Sequence, residues 1–139
     1  MEILQYLLHG FSIALTLNNL LFAFIGSLVG TLVGILPGLG PPATLAMLLP
    51  LTFSMDPTTA MIMMCAVFYG AQYGGSTTSI LINLPGETSS VMTCLDGYQM
   101  ALKGRAGAAL GISAIGSFVA GTLSVIGLML VAPPLANFA

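Results

Sequence analysis

Charged residues are almost absent from this chain, and that scarcity limits what it can fold into. Only 4% of its 139 residues are charged, against roughly 25% in ordinary soluble domains. Residues 3–55, 57–86 and 106–139 carry no charged side chain. The mean hydropathy is +1.05, and so few charges cannot form the polar surface that a water-soluble fold requires. The sequence therefore predicts an all-α membrane protein, folded as a polytopic helical bundle.

The same composition excludes several classes of function. Two basic residues and a formal net charge of −2 cannot neutralise a nucleic-acid backbone. Cys65 and Cys94 lack the spacing of a metal or redox pair, and His9 has no second histidine with which to form a metal site. Asp56 and Asp96 stand beside turn or polar residues, which does not suggest an intramembrane protease. We predict no enzyme activity, no catalytic residue, no metal site and no nucleic-acid partner.

Turn and proline signals divide a single transmembrane domain, residues 1–139, into five segments. These are an interfacial helix in 1–17, a helix and first broken segment in 18–53, a helix and second broken segment in 57–86, an amphipathic helix with a cytoplasmic loop in 87–105, and a membrane helix in 106–132. Asn18 and Asn19 are expected to interrupt the first helix, and Pro133 with Pro134 to end the last one.

Glycines form a stripe on the second predicted helix. Gly26, Gly30, Gly34 and then Gly38 recur every four residues, which places them on one stripe, and close packing is expected above all at Gly26 and Gly30. Small residues at this spacing let another membrane helix approach closely. The stripe predicts tight helix packing, and we expect one added methyl group at Gly30 to weaken that packing only modestly.

The first break falls at residues 37–42 (PGLGPP). Three prolines there remove amide donors and clash with preceding carbonyls, while the glycines permit a positive φ. Pro41 or Pro42 can then occupy the first turn of a short helix over 43–49. That helix is too short to cross a bilayer, so a re-entrant or discontinuous helix is predicted.

The second break is predicted within residues 69–86 (YGAQYGGSTTSILINLPG). A helix capped by Asp56 or Thr58 should run over 59–69 and then meet this polar, glycine-rich run in a stretch without charge. Unpaired backbone in lipid costs several kcal/mol per group, so such a run should be buried in protein or line a wet cavity. Glu87 follows directly, and we interpret it as a helix N-terminal charge rather than a gating group.

The two breaks share a weak internal repeat. LVGILPG at 32–38 and ILINLPG at 80–86 lie 48 positions apart. Two interrupted hydrophobic segments in corresponding places indicate a transporter's binding site. The fold prediction therefore includes two discontinuous helices, one at each Pro-Gly motif.

Three long stretches carry a resemblance to a known family. They are GTLVGILPGLGPPATLAMLLPLTF (30–53), YGAQYGGSTTSILINLPGE (69–87) and TCLDGYQMALKGRAG (93–107). In these stretches the chain resembles the large membrane subunit of the bacterial tripartite tricarboxylate transporters, the TctA-type permeases. Family members are several times longer, so the chain looks like the N-terminal portion of such a permease.

The resemblance implies a multi-pass secondary transporter in the bacterial inner membrane. It would take up citrate-like carboxylates by symport, with a small membrane subunit and a periplasmic binding protein as partners. The lipid bilayer and a further copy of the chain are the other partners considered. No cofactor is predicted beyond Na⁺ or H⁺ as the coupling ion.

An anionic substrate in segments without lysine or arginine must be held by amide donors and hydroxyls. Helix N-termini supply such donors. The residues predicted to bind substrate surround the two breaks and the polar run: Gly38, Gly40, Pro41, Ser76, Thr77, Thr78, Pro85, Gly86, Thr88 and Ser89. A coupling cation is predicted at Asn83 and Ser76. The alternative is that these hydroxyls only bond to their own helix and the glycines only pack.

A rival functional class is a membrane packing or assembly subunit that does not transport. Glycine stripes support that reading, whereas the polar run at membrane depth favours a transporter. A channel is disfavoured, because two discontinuous helices suit an occluding site better than a continuous polar pore.

The basic residues predict the orientation of the chain. Lys103 and Arg105 are its only cations, and the positive-inside rule places their loop in the cytoplasm. A cysteine introduced by Gly104→Cys should react with a membrane-impermeant thiol reagent only from the cytoplasmic side of oriented vesicles. Labelling from the periplasmic side would invert this topology.

Overall fold

A computed structural model describes the backbone of residues 2–136 and the side chains of residues 4–132. Its elements are α1 (Glu2–Ala14), α2 (Leu17–Gly34), α3 (Gly40–Leu48), a 3₁₀ helix (Leu49–Ser54), α4 (Pro57–Ile82), a second 3₁₀ helix (Thr88–Ser90), α5 (Val91–Leu102) and α6 (Ala106–Ala136). This range contains no strand, which confirms the all-α prediction for the part of the chain described.

The centre of the fold is the contact between α2 and α4. Gly26, Gly30 and Gly34 are buried on the α2 face that meets α4. A Cβ atom on Gly26 would lie 2.6 Å from the Met63 carbonyl oxygen, and one on Gly30 would overlap the backbone of Val67. The predicted packing role of the stripe is therefore confirmed.

The partner helix contributes its own glycines to this contact. Gly70 and Gly74 of α4 lie against the backbone carbonyls of Ser27 and Thr31 of α2, with no space for a Cβ atom. The two backbones touch along several turns because each helix offers glycine where the other offers a carbonyl. Such close approach maximises van der Waals contact between helices in a solvent that provides no hydrophobic drive.

A hydrogen-bonded asparagine joins the first two helices to α4. The expected interruption at Asn18 and Asn19 is wrong, because both lie inside the first turn of α2. Asn19 is buried; its Nδ2 donates to the Ile13 carbonyl at 2.9 Å, and its Oδ1 accepts from Thr59 Oγ1 at 2.7 Å. The side chain therefore connects α1, α2 and α4 instead of breaking a helix.

Helix α4 is longer than expected. Its N-cap is Asp56, whose carboxylate accepts from the amides of Thr58 at 3.0 Å and Thr59 at 3.3 Å, so Asp56 rather than Thr58 is the cap. The expected end near Tyr69 is wrong, because the helix continues through the polar run to Ile82. The helix tolerates this run because its glycines pack against other backbone and its hydroxyls find acceptors in carbonyls of the same helix.

Prolines begin one helix and fail to end another. In α3, Pro41 and Pro42 lie in the first turn, where a missing amide hydrogen is tolerated. Helix α6 continues to Ala136, past Pro133 and Pro134, so the expected end there is wrong. A proline's fixed φ is compatible with helix, and each removes one hydrogen bond without reversing the chain.

Two of the described helices are long and apolar enough to cross a membrane. They are Leu17–Gly34 and Ala106–Ala132, the second of which lies almost wholly outside the packed core. The loop before α6 contains Gly104 at φ +74°. A side chain there is strained, so Leu102, which is 63% exposed, is the better position for a labelling cysteine.

The glycine contact predicts that Gly30→Ala destabilises the protein more than the modest weakening of packing expected from the sequence. Gly30→Ala should lower the free energy of unfolding by about 1–3 kcal/mol, because the new methyl group overlaps the Val67 backbone. Denaturation in detergent micelles measures the change. Gly111→Ala is the matched control, since no atom lies within 4 Å of its added Cβ, and its effect should stay within about 0.5 kcal/mol. Equal stability of the two variants would contradict the packing role.

Candidate functional site

The two Pro-Gly motifs lie side by side, although 48 residues separate them in the chain. The Gly38 amide donates to the Gly86 carbonyl at 3.3 Å. Gly86 also packs directly on Gly75 of α4, and a Cβ atom on Gly86 would lie 3.2 Å from the Gly34 carbonyl oxygen. The end of α2, the middle of α4 and the segment after α4 therefore meet at one point.

The glycines of the site are needed for different reasons. Gly38 has φ +90° and Gly40 has φ +57°, and neither is crowded by its neighbours. Glycine is therefore needed at both positions for its backbone conformation, which residues with a side chain rarely adopt. Gly86 is not among the positive-φ residues, and it is required because Gly75 leaves no space for a Cβ atom.

A cavity of about 640 Å³ opens between the two motifs. This volume is within the range of about 300–1,000 Å³ typical of small-molecule sites. Its lining comes from both motifs and from one face of α4: Gly38, Gly40, Pro41, Pro42, Phe68, Gln72, Pro85, Gly86, Glu87, Thr88, Ser89 and Val91. Seven of the residues predicted to bind substrate are in this set: Gly38, Gly40, Pro41, Pro85, Gly86, Thr88 and Ser89.

Few amide donors face this cavity. Pro41 and Pro42 have no amide hydrogen, so within the first three positions of α3 only Gly40 has an orphan donor. The first two positions of the second 3₁₀ helix, Thr88 and Ser89, retain theirs. These three amides and the Thr88 hydroxyl are among the donors that the lining residues offer an anion, whereas Ser89 Oγ donates to Glu87 Oε1.

Three predicted hydroxyls and one amide side chain lie elsewhere. Ser76 Oγ donates to the Gln72 carbonyl at 3.1 Å, Thr77 Oγ1 to the Tyr73 carbonyl at 2.9 Å and Thr78 Oγ1 to the Gly75 carbonyl at 2.9 Å. Asn83 ends α4 in the left-handed conformation at φ +58°. None of these four residues lines the cavity. The hydroxyl hydrogens of Ser76, Thr77 and Thr78 bond within α4, as the alternative interpretation expected. The ion site at Asn83 and Ser76 stays a prediction.

Sequence reasoning missed part of the lining. Phe68 and Gln72 line the cavity from α4, and their spacing of four residues puts them on one helical face. That spacing could have indicated a shared face in the sequence, but only if the helix was expected to continue past Tyr69. Glu87, which we interpreted as a helix N-terminal charge, also lines the cavity.

A second, larger cavity differs in chemistry. It encloses about 740 Å³ between α1, α4 and α6. Its lining is dominated by apolar side chains such as Phe11, Phe118 and Met129, with Tyr69 and Tyr73 on one side. Such a surface suits lipid tails or apolar packing better than a charged solute. The smaller cavity is the candidate site.

Comparison with known proteins agrees with the family resemblance found in the sequence. Residues 20–139 match the family described as "Tripartite tricarboxylate transporter TctA family". Over 139 residues the chain is 58% identical to a protein of Agrobacterium vitis named "Uncharacterized 52.8 kDa protein in TAR-I ttuC' 3'region". The match covers 100% of this chain and 28% of that protein, so the chain spans a little over a quarter of its relative's length. No solved structure matches the chain.

The contact between Gly75 and Gly86 predicts an asymmetry between two alanine variants. A Cβ atom on Gly86 would overlap Gly75, whereas one on Gly75 would meet Gly86 Cα at 3.4 Å, an ordinary contact. Gly86→Ala should therefore separate the motifs and lower the stability of the protein by about 1–3 kcal/mol, with faster hydrogen exchange at the Gly38 amide. Gly75→Ala should leave both quantities near their original values. Identical exchange in the two variants would contradict the contact.

Proposed function

The chain belongs to the tripartite tricarboxylate transporter TctA family, and we propose that it forms the substrate-binding part of a permease that takes up citrate-like carboxylates. Membership makes it part of a membrane transporter, not an enzyme. In the proposed system the permease works in the bacterial inner membrane with a small membrane subunit and a periplasmic binding protein. Uptake is driven by symport with Na⁺ or H⁺.

The observation that carries this proposal is the cavity between the two Pro-Gly motifs. It lies beyond the end of α2 and beside the middle of α4, next to the starts of α3 and the second 3₁₀ helix. In other secondary transporters, discontinuous membrane helices hold anionic groups at their N-termini. Gly40, Thr88 and Ser89 line the cavity from two chain segments, and backbone amides from two segments suit a ligand that carries several carboxylates.

A non-transporting packing subunit is the less favoured alternative. The polar run in α4 does not separate the two functions, because its hydroxyls bond within the helix and its glycines pack. The cavity supports transport instead, since Gly38 and Gly40 adopt positive φ without close packing: a Cβ atom on Gly38 would meet no atom within 4 Å, and one on Gly40 would make only ordinary contacts. Close packing alone does not require that geometry.

Reconstitution tests the proposed transport. A full-length permease containing this chain, with its small membrane subunit and binding protein, should take up radiolabelled citrate in proteoliposomes when an inward Na⁺ or H⁺ gradient is applied. Residues 1–139 alone should be inert, because transporter sites of this class form between two repeats. Citrate uptake that ignores both gradients, or robust uptake by the fragment, would refute the proposal.

A pair of valine variants separates the site from simple backbone strain. Gly40 and Gly104 both have positive φ, at +57° and +74°, but only Gly40 lines the cavity. Gly40→Val in the complete transporter should lower citrate affinity at least about tenfold, a change of about 1.4 kcal/mol. Gly104→Val forces the same β-branched side chain into a similar conformation but should leave affinity unchanged in calorimetry. Equal losses in both variants would assign the effect to strain.

A further inference from the structure

The candidate site carries a negative charge, which repels its proposed anionic substrate. Glu87 is the one charged residue among those that line the cavity within the described part of the chain. Its carboxylate and an incoming carboxylate repel each other, and the lining contributes no lysine or arginine. Amide donors offset the charge of the substrate only in part. A cation bound beside Glu87 would offset this repulsion when an anion binds here.

Glu87 is held in place by its neighbours. Ser89 Oγ donates to Glu87 Oε1 at 2.8 Å, and the Glu87 amide donates to Ser90 Oγ at 3.2 Å. Its aliphatic stem passes two glycines: Cβ atoms built on Gly40 and Gly75 would lie 3.9 Å from Glu87 Cβ and 3.8 Å from Glu87 Cγ. The carboxylate is thus attached at the junction of the two motifs and of α4.

One oxygen ligand for a cation lies directly beside this carboxylate, and another residue with an amide oxygen lines the same cavity. The Ser89 hydroxyl directs its hydrogen to Glu87, which leaves its oxygen lone pairs available. Gln72 of α4, whose side chain carries an amide carbonyl oxygen, lines the same cavity. Hard monovalent cations take such oxygen ligands, together with water and a substrate carboxylate.

We propose that Glu87 is the residue that makes carboxylate binding depend on a metal cation, with Na⁺ held between the Glu87 carboxylate and a carboxylate of the substrate. This inference rests on the proposed function, because it requires an anionic substrate in this cavity. It moves the cation from the predicted position at Asn83 and Ser76, which do not line the cavity, to Glu87 and Ser89.

Calorimetry on the complete, detergent-purified transporter tests this role. Citrate affinity is measured in NaCl and in choline chloride of equal ionic strength. The unmodified protein should bind citrate about tenfold more tightly in Na⁺, and by reciprocity citrate should raise Na⁺ affinity by the same factor. Glu87→Gln removes the charge with little change in shape. It should bind citrate in choline chloride and show less than about a twofold response to Na⁺.

Two further variants complete the test. Asp96→Asn removes an equal charge from an exposed position on α5, outside the cavity, and should keep the full Na⁺ response. Ser89→Ala keeps the charge but removes one oxygen ligand. It should weaken Na⁺ affinity severalfold, so the inference remains testable if Glu87→Gln fails to fold.

The outcomes distinguish this inference from the proposed function. A full Na⁺ response in folded Glu87→Gln, or an unchanged Na⁺ affinity in Ser89→Ala, overturns the proposed cation site and leaves citrate transport standing. A pH-dependent but Na⁺-independent affinity in the unmodified protein overturns it as well, since a proton then compensates the charge. Absence of citrate binding by the unmodified protein in either salt overturns the proposed function, and this inference with it.

Discussion

Backbone-to-backbone packing of α2 on α4 is the interaction on which the rest of the structure depends. Gly26, Gly30 and Gly34 on one helix and Gly70 and Gly74 on the other bring carbonyl groups against α-carbons with no side chain between them. In lipid, helices gain little from burying apolar side chains, because lipid tails are equally apolar. Close approach of the backbones supplies the packing energy instead, and it sets the relative position of the two helices.

The site follows from this packing. Gly34 is both the last residue of α2 and a member of the packed stripe, and Gly75 of α4 follows directly after Gly74. The ends of the stripe therefore place the first Pro-Gly motif beside Gly86 of the second, where the Gly38 amide reaches the Gly86 carbonyl. The cavity exists because α2 ends at this junction and the chain after α4 returns to pack on Gly75, so no helix fills the space between α3 and the second 3₁₀ helix.

Many polar side chains in the described part of the chain form hydrogen bonds with nearby groups, which leaves fewer of them free to bind a ligand. Within residues 4–132, no buried side-chain nitrogen or oxygen lacks a hydrogen-bond partner. Thr44, Thr78 and Ser79 bond to carbonyls of their own helices, and Asn19 bonds to Thr59. A serine or threonine inside such a helix is therefore weak evidence of a binding site. The exposed hydroxyls at the start of a helix, such as Ser89, are stronger evidence.

Sequence alone determined the membrane class, the all-helical fold, the packing stripe and the start of a new helix after the first Pro-Gly motif, because each depends on local chemistry: scarce charge, the spacing of glycines, and prolines that lack an amide hydrogen. It also located seven lining residues, since they flank the two Pro-Gly motifs. Only the tertiary structure decided that α4 runs through the polar run to Ile82, that Asn19 lies inside a helix and that Glu87 lines the cavity. These features depend on contacts between residues far apart in the chain, and a glycine or an asparagine has the same local preferences whether or not a partner helix arrives to satisfy it.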